Sequence, residues 1–181
     1  MTSHAKHHAK SGPVIKPEVA RTTIIAEALN RLGLYSPQAE RLLMGTAAVE
    51  SNFSEFVQRG GGPARGMFQM EPPTFHDLLD RVLAAPKRHE SEKHQALRTA
   101  VDALATGGTP SFSELTTNHL LAAAMARVKY YTIHAPIPTT LAGQANYWWV
   151  YYNGKSPHGI GVPGYLAAWN SYCAPIYGPG G

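Results

Sequence analysis

Between Ser113 and Ile133, the residues Leu120, Leu121, Ala124, Met125, Val128 and Tyr131 recur at intervals of three and four. Side chains on an α-helix return to one face at that spacing, so the stretch predicts a central core helix. Nothing else constrains the fold as strongly, because a long stripe of this period has to be buried by elements that pack like it. Long alternating patterns of the kind that build sheets are absent, and no internal repeat is visible. The chain therefore reads as a predominantly α domain with at most a scrap of β-structure.

Punctuation residues place the other helices. Pro17 sits at a favoured first-turn position, and Ile24, Ile25, Ala28, Leu29 and Leu32 follow until Gly33, predicting a helix over about 18–32. Ser36-Pro37 supplies a cap and a first-turn proline for a second helix running to about Ser51. From Asn52 to Met70 the period is lost, and four glycines and one proline lie between Gly60 and Gly66, predicting a folded loop with room for a short β-hairpin. Pro72-Pro73 opens another helix, whose face of Phe75, Leu78, Leu79, Val82 and Leu83 runs up to Pro86. A more polar helix over about 88–105 follows, then the core helix, a helix over about 139–152, a turn at Asn153-Gly154-Lys155-Ser156-Pro157 and a last helix near 163–173.

At 181 residues, 44% hydrophobic and 15% charged, the sequence suits one domain with tails. The expected division is a basic flexible tail over 1–17, the domain over 18–175 and a loose end over 176–181. No run approaches the ~18 apolar residues that would predict a transmembrane span. The formal charge of +4 suits an anionic partner, but much of it lies in the tail, where Lys6, Lys10 and Lys16 stand among His4, His7 and His8. Those histidines lack a carboxylate or cysteine cluster, so no metal and no cofactor are expected. No nucleic-acid module is recognisable either. The opening MTSHAKHHAKSGPVIKP lacks the apolar stretch of a secretory signal, which leads us to expect another route if the protein leaves the cytoplasm. Cys173, the single cysteine, excludes an intramolecular disulfide and reads as a packed small residue.

The sharpest chemical feature is a carboxylate in the wrong place. Ala39, Leu43, Ala47 and Glu50 are spaced four, four and three apart, so the acid shares a stripe with apolar residues instead of the hydrated face. Burial and the negative end of the helix dipole would both disfavour its anion and raise its pKa. A glutamate protonated near neutral pH serves as a general acid. The plainer reading is a glutamate swung to the rim or paired with an arginine.

Four segments in a fixed order change that balance: Glu50-Ser51; Gly66-Met67-Phe68-Gln69 followed by Pro72, Pro73 and Thr74; Asn118 at the head of the core helix; and Tyr152-Asn153-Gly154. Together, over roughly residues 20–173, they resemble the soluble-lytic-transglycosylase-like domains of the lysozyme superfamily. The resemblance implies a lysozyme-like α-domain that cleaves the β-1,4 bond between N-acetylmuramic acid and N-acetylglucosamine in peptidoglycan. It implies that Glu50 protonates the glycosidic oxygen and then takes the proton of the muramic C6 hydroxyl, leaving a 1,6-anhydro end. No second, nucleophilic carboxylate is needed, unlike the pair used by most glycosidases.

By the same resemblance Ser51, Gln69, Tyr152 and Asn153 are substrate-site residues. Ser51 would orient backbone or sugar groups, although a serine ending a helix can simply cap it. Gln69 would build the groove floor with Met67 and Phe68 packed beneath. Tyr152 and Asn153 would bring a phenol and an amide close to Glu50. Trp148, Trp149 and Tyr151 could stack on sugars, but neighbours on one helix cannot all point the same way, so at least one belongs to the core. The sequence departs from the family pattern at Met67-Phe68, where Leu-Met is usual, at Glu71, where an apolar residue is usual, and at Gly154-Lys155. The segment 87–112 is long for the family and would form a groove wall or docking face, while its Lys87, Arg88, Lys93 and Arg98 read as a solvated helix.

Two other readings stand beside this one. A hydrolytic muramidase would use Glu55, Glu71 or Asp77 as a second acid; a phage virion component would keep the domain for docking with weak or no activity. Expected partners are peptidoglycan glycan strands and phage virion or tail proteins, in a virion or at the bacterial periplasm and cell wall.

Overall fold

The computed structural model describes residues 14–84, 92–156 and 159–178. The tail residues 1–13 with His4, Lys6, His7, His8 and Lys10, the segment 85–91 with Lys87 and Arg88, Pro157 of the expected turn, and the end 179–181 lie outside the described residues. Within them the protein is mostly helical, with almost no strand: α1 (Pro17–Val19), a π-helical turn (Ala20–Ile25), α2 (Ala26–Arg31), α3 (Pro37–Ser51), α4 (Pro72–Arg81), α5 (Glu92–Asp102), α6 (His119–Tyr131), α7 (Leu141–Tyr151), α8 (Gly161–Tyr172) and α9 (Ala174–Tyr177). The expected hairpin reduces to two isolated antiparallel bridges, Val57 with Arg65 and Arg65 with Met70.

Local chemistry explains most boundaries. Ser36 Oγ accepts the Ala39 N–H at 3.1 Å and Pro37 fills the first turn, so α3 begins where its cap and proline dictate. The first helix ends at Gly33, whose φ of +63° suits a residue without a β-carbon. Its π-helical middle accompanies Thr22 and Thr23, whose hydroxyls donate to the Glu18 and Val19 carbonyls and so compete with the backbone N–H groups. The expected helix from Ser113 is interrupted: a 3-10 turn (Phe112–Thr116) precedes α6. Asn118 is the cause, because its side-chain oxygen caps the Leu121 N–H at 3.1 Å while its amide donates to the Leu104 carbonyl at 2.8 Å. Helix α4 stops at Arg81, short of Pro86, and α5 is described only from Glu92.

Two helices carry the core. Helix α6 buries Leu121, Ala124, Met125 and Val128 of the stripe read from the sequence, and α3 buries ten of its residues, including Ala39, Leu43 and Ala47. Helix α3 packs against α6, α7, α8 and the π-helical turn. It meets α8 at Gly45, where an added β-carbon would lie 1.9 Å from the Tyr165 hydroxyl. Glycine here is a packing requirement, which outweighs the roughly 1 kcal/mol that it costs a helix interior.

Both expected domain edges move outward. The Ile15 N–H donates to the Phe53 carbonyl at 3.1 Å and Ile15 packs on the core, so the domain begins ahead of Pro17. Ile176 and Tyr177, expected in a loose end, are held: α9 carries them back, and the Tyr177 hydroxyl donates to Glu40 Oε1 at 2.7 Å while its ring lies 5.2 Å from that of Trp169. Cys173 is fully buried, and burial pushes its thiol up to about 12, which leaves it unreactive at neutral pH. Among the described residues no helix is long and apolar enough to cross a membrane.

Candidate active site

Glu50 stands one residue from the C-terminus of α3 and opens onto a cavity of about 200 Å³ lined also by Gln69, Met70, Glu71, Thr74, Lys129, Tyr152 and Asn153. A neighbouring cavity of about 540 Å³ shares Glu50, Gln69, Glu71 and Asn153 and continues along Glu55, Gln58, Arg59, Ala64 and Ser156. The acid thus sits at the junction of one extended cleft.

The loop between α3 and α4 builds the cleft floor. Asn52 and Phe53 take left-handed φ values of 52° and 56°, turning the chain sharply off the helix and burying Phe53. Arg65 and Met70 exchange backbone hydrogen bonds at 2.9 Å each, closing Gly66-Met67-Phe68-Gln69 into a tight turn. Gly66 has a φ of +80°, and a β-carbon there would lie 2.5 Å from the Leu115 carbonyl oxygen. Met67 and Phe68 are buried beneath the turn, while Gln69 stays partly exposed at the cleft surface. The Gln69 amide nitrogen donates to the Glu55 and Gly66 carbonyls at 2.8 and 2.9 Å, which fixes the side chain where it lines both cavities.

Three further expected residues reach the site in unequal ways. Tyr152 and Asn153 do line the Glu50 cavity, although they lie about a hundred positions later in the chain. The Tyr152 hydroxyl, however, donates to the Phe68 carbonyl at 2.8 Å, so this phenol braces the floor and does not bond the acid. Asn153 Oδ1 accepts the Ser156 N–H at 3.2 Å and holds the turn after α7. Ser51 follows the backbone-orienting part of its expected role: it is 1% exposed, lines neither cavity, and donates to the Ala47 and Met67 carbonyls at 3.1 and 2.8 Å, tying α3 to the turn.

The partner of the acid is Trp148, whose indole N–H donates to Glu50 Oε1 at 2.9 Å. The sequence offered Trp148 as a sugar-stacking ring; it is 1% exposed, and its hydrogen bond assigns it to the acid instead. Tyr151, 39% exposed, is the aromatic of that group left on the surface. The surrounding protein raises the proton affinity of Glu50 to about 7: burial pushes it up, Glu71 adds to the rise, and the Trp148 bond and the Lys129 charge oppose it. At neutral pH the acid is therefore poised between its two forms.

Lys129 was missed in the sequence. It follows Leu121 and Met125 at four-residue steps along α6, so it occupies an apolar stripe just as Glu50 does. Its ammonium donates to the Tyr152 carbonyl at 2.8 Å and lies 3.8 Å from the centre of the Tyr152 ring. Glu55, which pairs with Arg59, and Glu71 line the cleft, whereas Asp77 pairs with Arg81 and lines neither cavity. Among the described residues no cluster of three or more histidine, cysteine or acidic side chains could hold a metal ion. No protein-family model, curated protein or solved structure matches this chain.

Proposed function

We propose that the cleft cuts a glycan strand and that the protein is a peptidoglycan lytic transglycosylase with a lysozyme-like fold. The observation that carries this reading is Glu50: one carboxyl group on the floor of an extended cleft, with its proton affinity raised to about 7. A group poised this way can give a proton in one step and take one in the next. In the first step Glu50 protonates the glycosidic oxygen as the bond to the muramic C1 breaks. In the second, the carboxylate accepts the C6 hydroxyl proton while O6 bonds to C1, closing the 1,6-anhydro ring and restoring the protonated acid. Trp148 holds one carboxyl oxygen throughout, and the polar cleft walls at Gln69 and Asn153 offer hydrogen bonds to sugar hydroxyl and acetamido groups.

The presence of Glu71 and Glu55 along the same cleft favours one other reading, a hydrolytic muramidase in which a second carboxylate activates water. The products separate the two. Purified peptidoglycan is digested with the parent protein and with Glu50→Gln, and the released sugars are examined by mass spectrometry. The expected products end in 1,6-anhydro sugar, and Glu50→Gln slows their release by about 100-fold or more. Reducing ends would replace the lyase with the hydrolase, and a Glu50→Gln protein as fast as the parent would remove Glu50 from the reaction.

A further inference from the structure

Lys129 is a half-buried cation that the reaction as written does not use. It has two anchors on one residue: its ammonium donates to the Tyr152 carbonyl at 2.8 Å and packs 3.8 Å from the Tyr152 ring centre. The Tyr152 hydroxyl in turn donates to the Phe68 carbonyl at 2.8 Å. The chain of contacts therefore runs from α6 through the residue that caps α7 to the turn forming the cleft floor. A lysine serving only as a brace could be replaced by an apolar residue without the cost of burying a charge. This one also lines the cavity into which Glu50 opens.

We propose that Lys129 is a positioning residue of this site: held by Tyr152 inside the Glu50 cavity, it keeps the proton on Glu50 exchangeable. The inference rests on Glu50 being the acid of the cleft. Desolvation alone would bind the proton too tightly, leaving a carboxyl group that takes a proton readily but is slow to give one up. A fixed ammonium in the same cavity stabilises the carboxylate left after donation and so assists the first half of the cycle. The other charged and titratable groups around the acid are few. Glu71, from the head of α4, opposes Lys129, while Tyr130 of α6 and Tyr152 are buried phenols held well above their ordinary range, neutral at working pH. Trp148 of α7 bonds the acid, and Tyr165 of α8, also pushed up by burial, packs its ring on Trp148. Glu55 and Arg59, paired with each other, line only the neighbouring cavity.

The test reads the proton directly, independently of any cleavage. The indole N–H of Trp148 bonds Glu50, so its nuclear magnetic resonance signal reports the ionisation of the acid; Trp148→Phe assigns that signal among the three tryptophans. In Lys129→Met the midpoint of this titration is expected to move up by about one pH unit, and in Lys129→Arg, which keeps the charge, to stay near the parent value. A midpoint unchanged in Lys129→Met overturns the proposal. Should that variant fail to fold, the reciprocal measurement decides: the Lys129 side-chain carbon signal is titrated in the parent protein and in Glu50→Gln. Coupling between two sites is mutual, so the Lys129 midpoint is expected to fall when the Glu50 charge is removed. An equal midpoint in the two proteins overturns the proposal as well. Loss of the midpoint shift with cleavage intact would count against Lys129 alone, and a shift in a protein that cuts no glycan would count against the proposed function alone.

Discussion

Helix α3 carries two inward-facing glutamates, Glu40 near its start and Glu50 near its end, and they have been given opposite surroundings. Glu40 is 4% exposed and has three donors: Arg21 Nε and the Tyr177 hydroxyl donate to Oε1 at 2.7 Å each, and the Tyr35 hydroxyl to Oε2 at 3.2 Å. It also stands in the first turn, where the helix dipole favours an anion. Glu50 stands in the last turn, takes one neutral indole N–H and faces a cavity. A buried carboxylate with donors on both oxygens is a structural staple. One left short of partners beside open space is available for chemistry. The difference lies in what surrounds each carboxyl group, since the residue type and the helix are the same.

The comparison can be broken in order of expected effect. The largest change in stability belongs to Glu50. Because its pKa rises from 4.5 to about 7 on folding, the folded state holds this proton more tightly than the unfolded chain. That stabilisation is complete below about pH 4.5 and is lost as pH rises through 7, by at most ~3 kcal/mol. Glu50→Gln keeps an oxygen for Trp148 and has no such loss. Denaturant unfolding at a series of pH values should therefore show the variant matching the parent near pH 4.5 and exceeding it at pH 8 to 9; a constant difference across the range would mean that Glu50 is not desolvated.

Next comes Glu40→Ala, which leaves Arg21 and two tyrosine hydroxyls without their acceptor. Arg21 is about a third exposed and recovers water, so the expected loss is about 2 kcal/mol, below that for a fully buried pair. Thermal unfolding measures it, and cleavage per folded molecule should stay at the parent rate. A drop in that rate would mean that the two glutamates are not independent.

The smallest effect is Tyr152→Phe. It deletes one buried hydrogen bond to the Phe68 carbonyl, at a cost of about 1 kcal/mol or somewhat more for the carbonyl left unpaired. Since that phenol does not bond Glu50, turnover should fall far less than in Glu50→Gln. Steady-state kinetics decide whether Tyr152 works through the floor or on the substrate.

Local signals made much of this legible. Ser36-Pro37, Pro72 and Asn118 mark helix starts because a cap or a missing N–H acts within one turn, and each is found where it was expected. The stripe that placed Glu50 against the apolar side of α3 is equally local. The same spacing marks Lys129 on α6, a second charge on an apolar stripe with Leu121 and Met125. The sequence left Ser51 open, because a serine that meets a sugar and a serine that ties a helix to a turn look identical there; its bonds to the Ala47 and Met67 carbonyls are seen only in the structure. Tyr177 misled for a related reason: glycine and proline around it signal a loose end, while its hydroxyl has a buried acceptor 137 residues away.

What the sequence determined by itself is most of the helices, the caps at Ser36 and Asn118 and the face of α3 on which the acid stands, all products of forces acting over three or four residues. Only the tertiary structure decided that Trp148, 98 residues further on, meets Glu50, that Lys129 reaches into the same cavity, and that Glu40 is closed off by the returning C-terminal helix. Those pairings depend on the angles and offsets at which helices pack, and these are set by the shapes of side chains distant in sequence, as where the Tyr165 ring rests on Gly45.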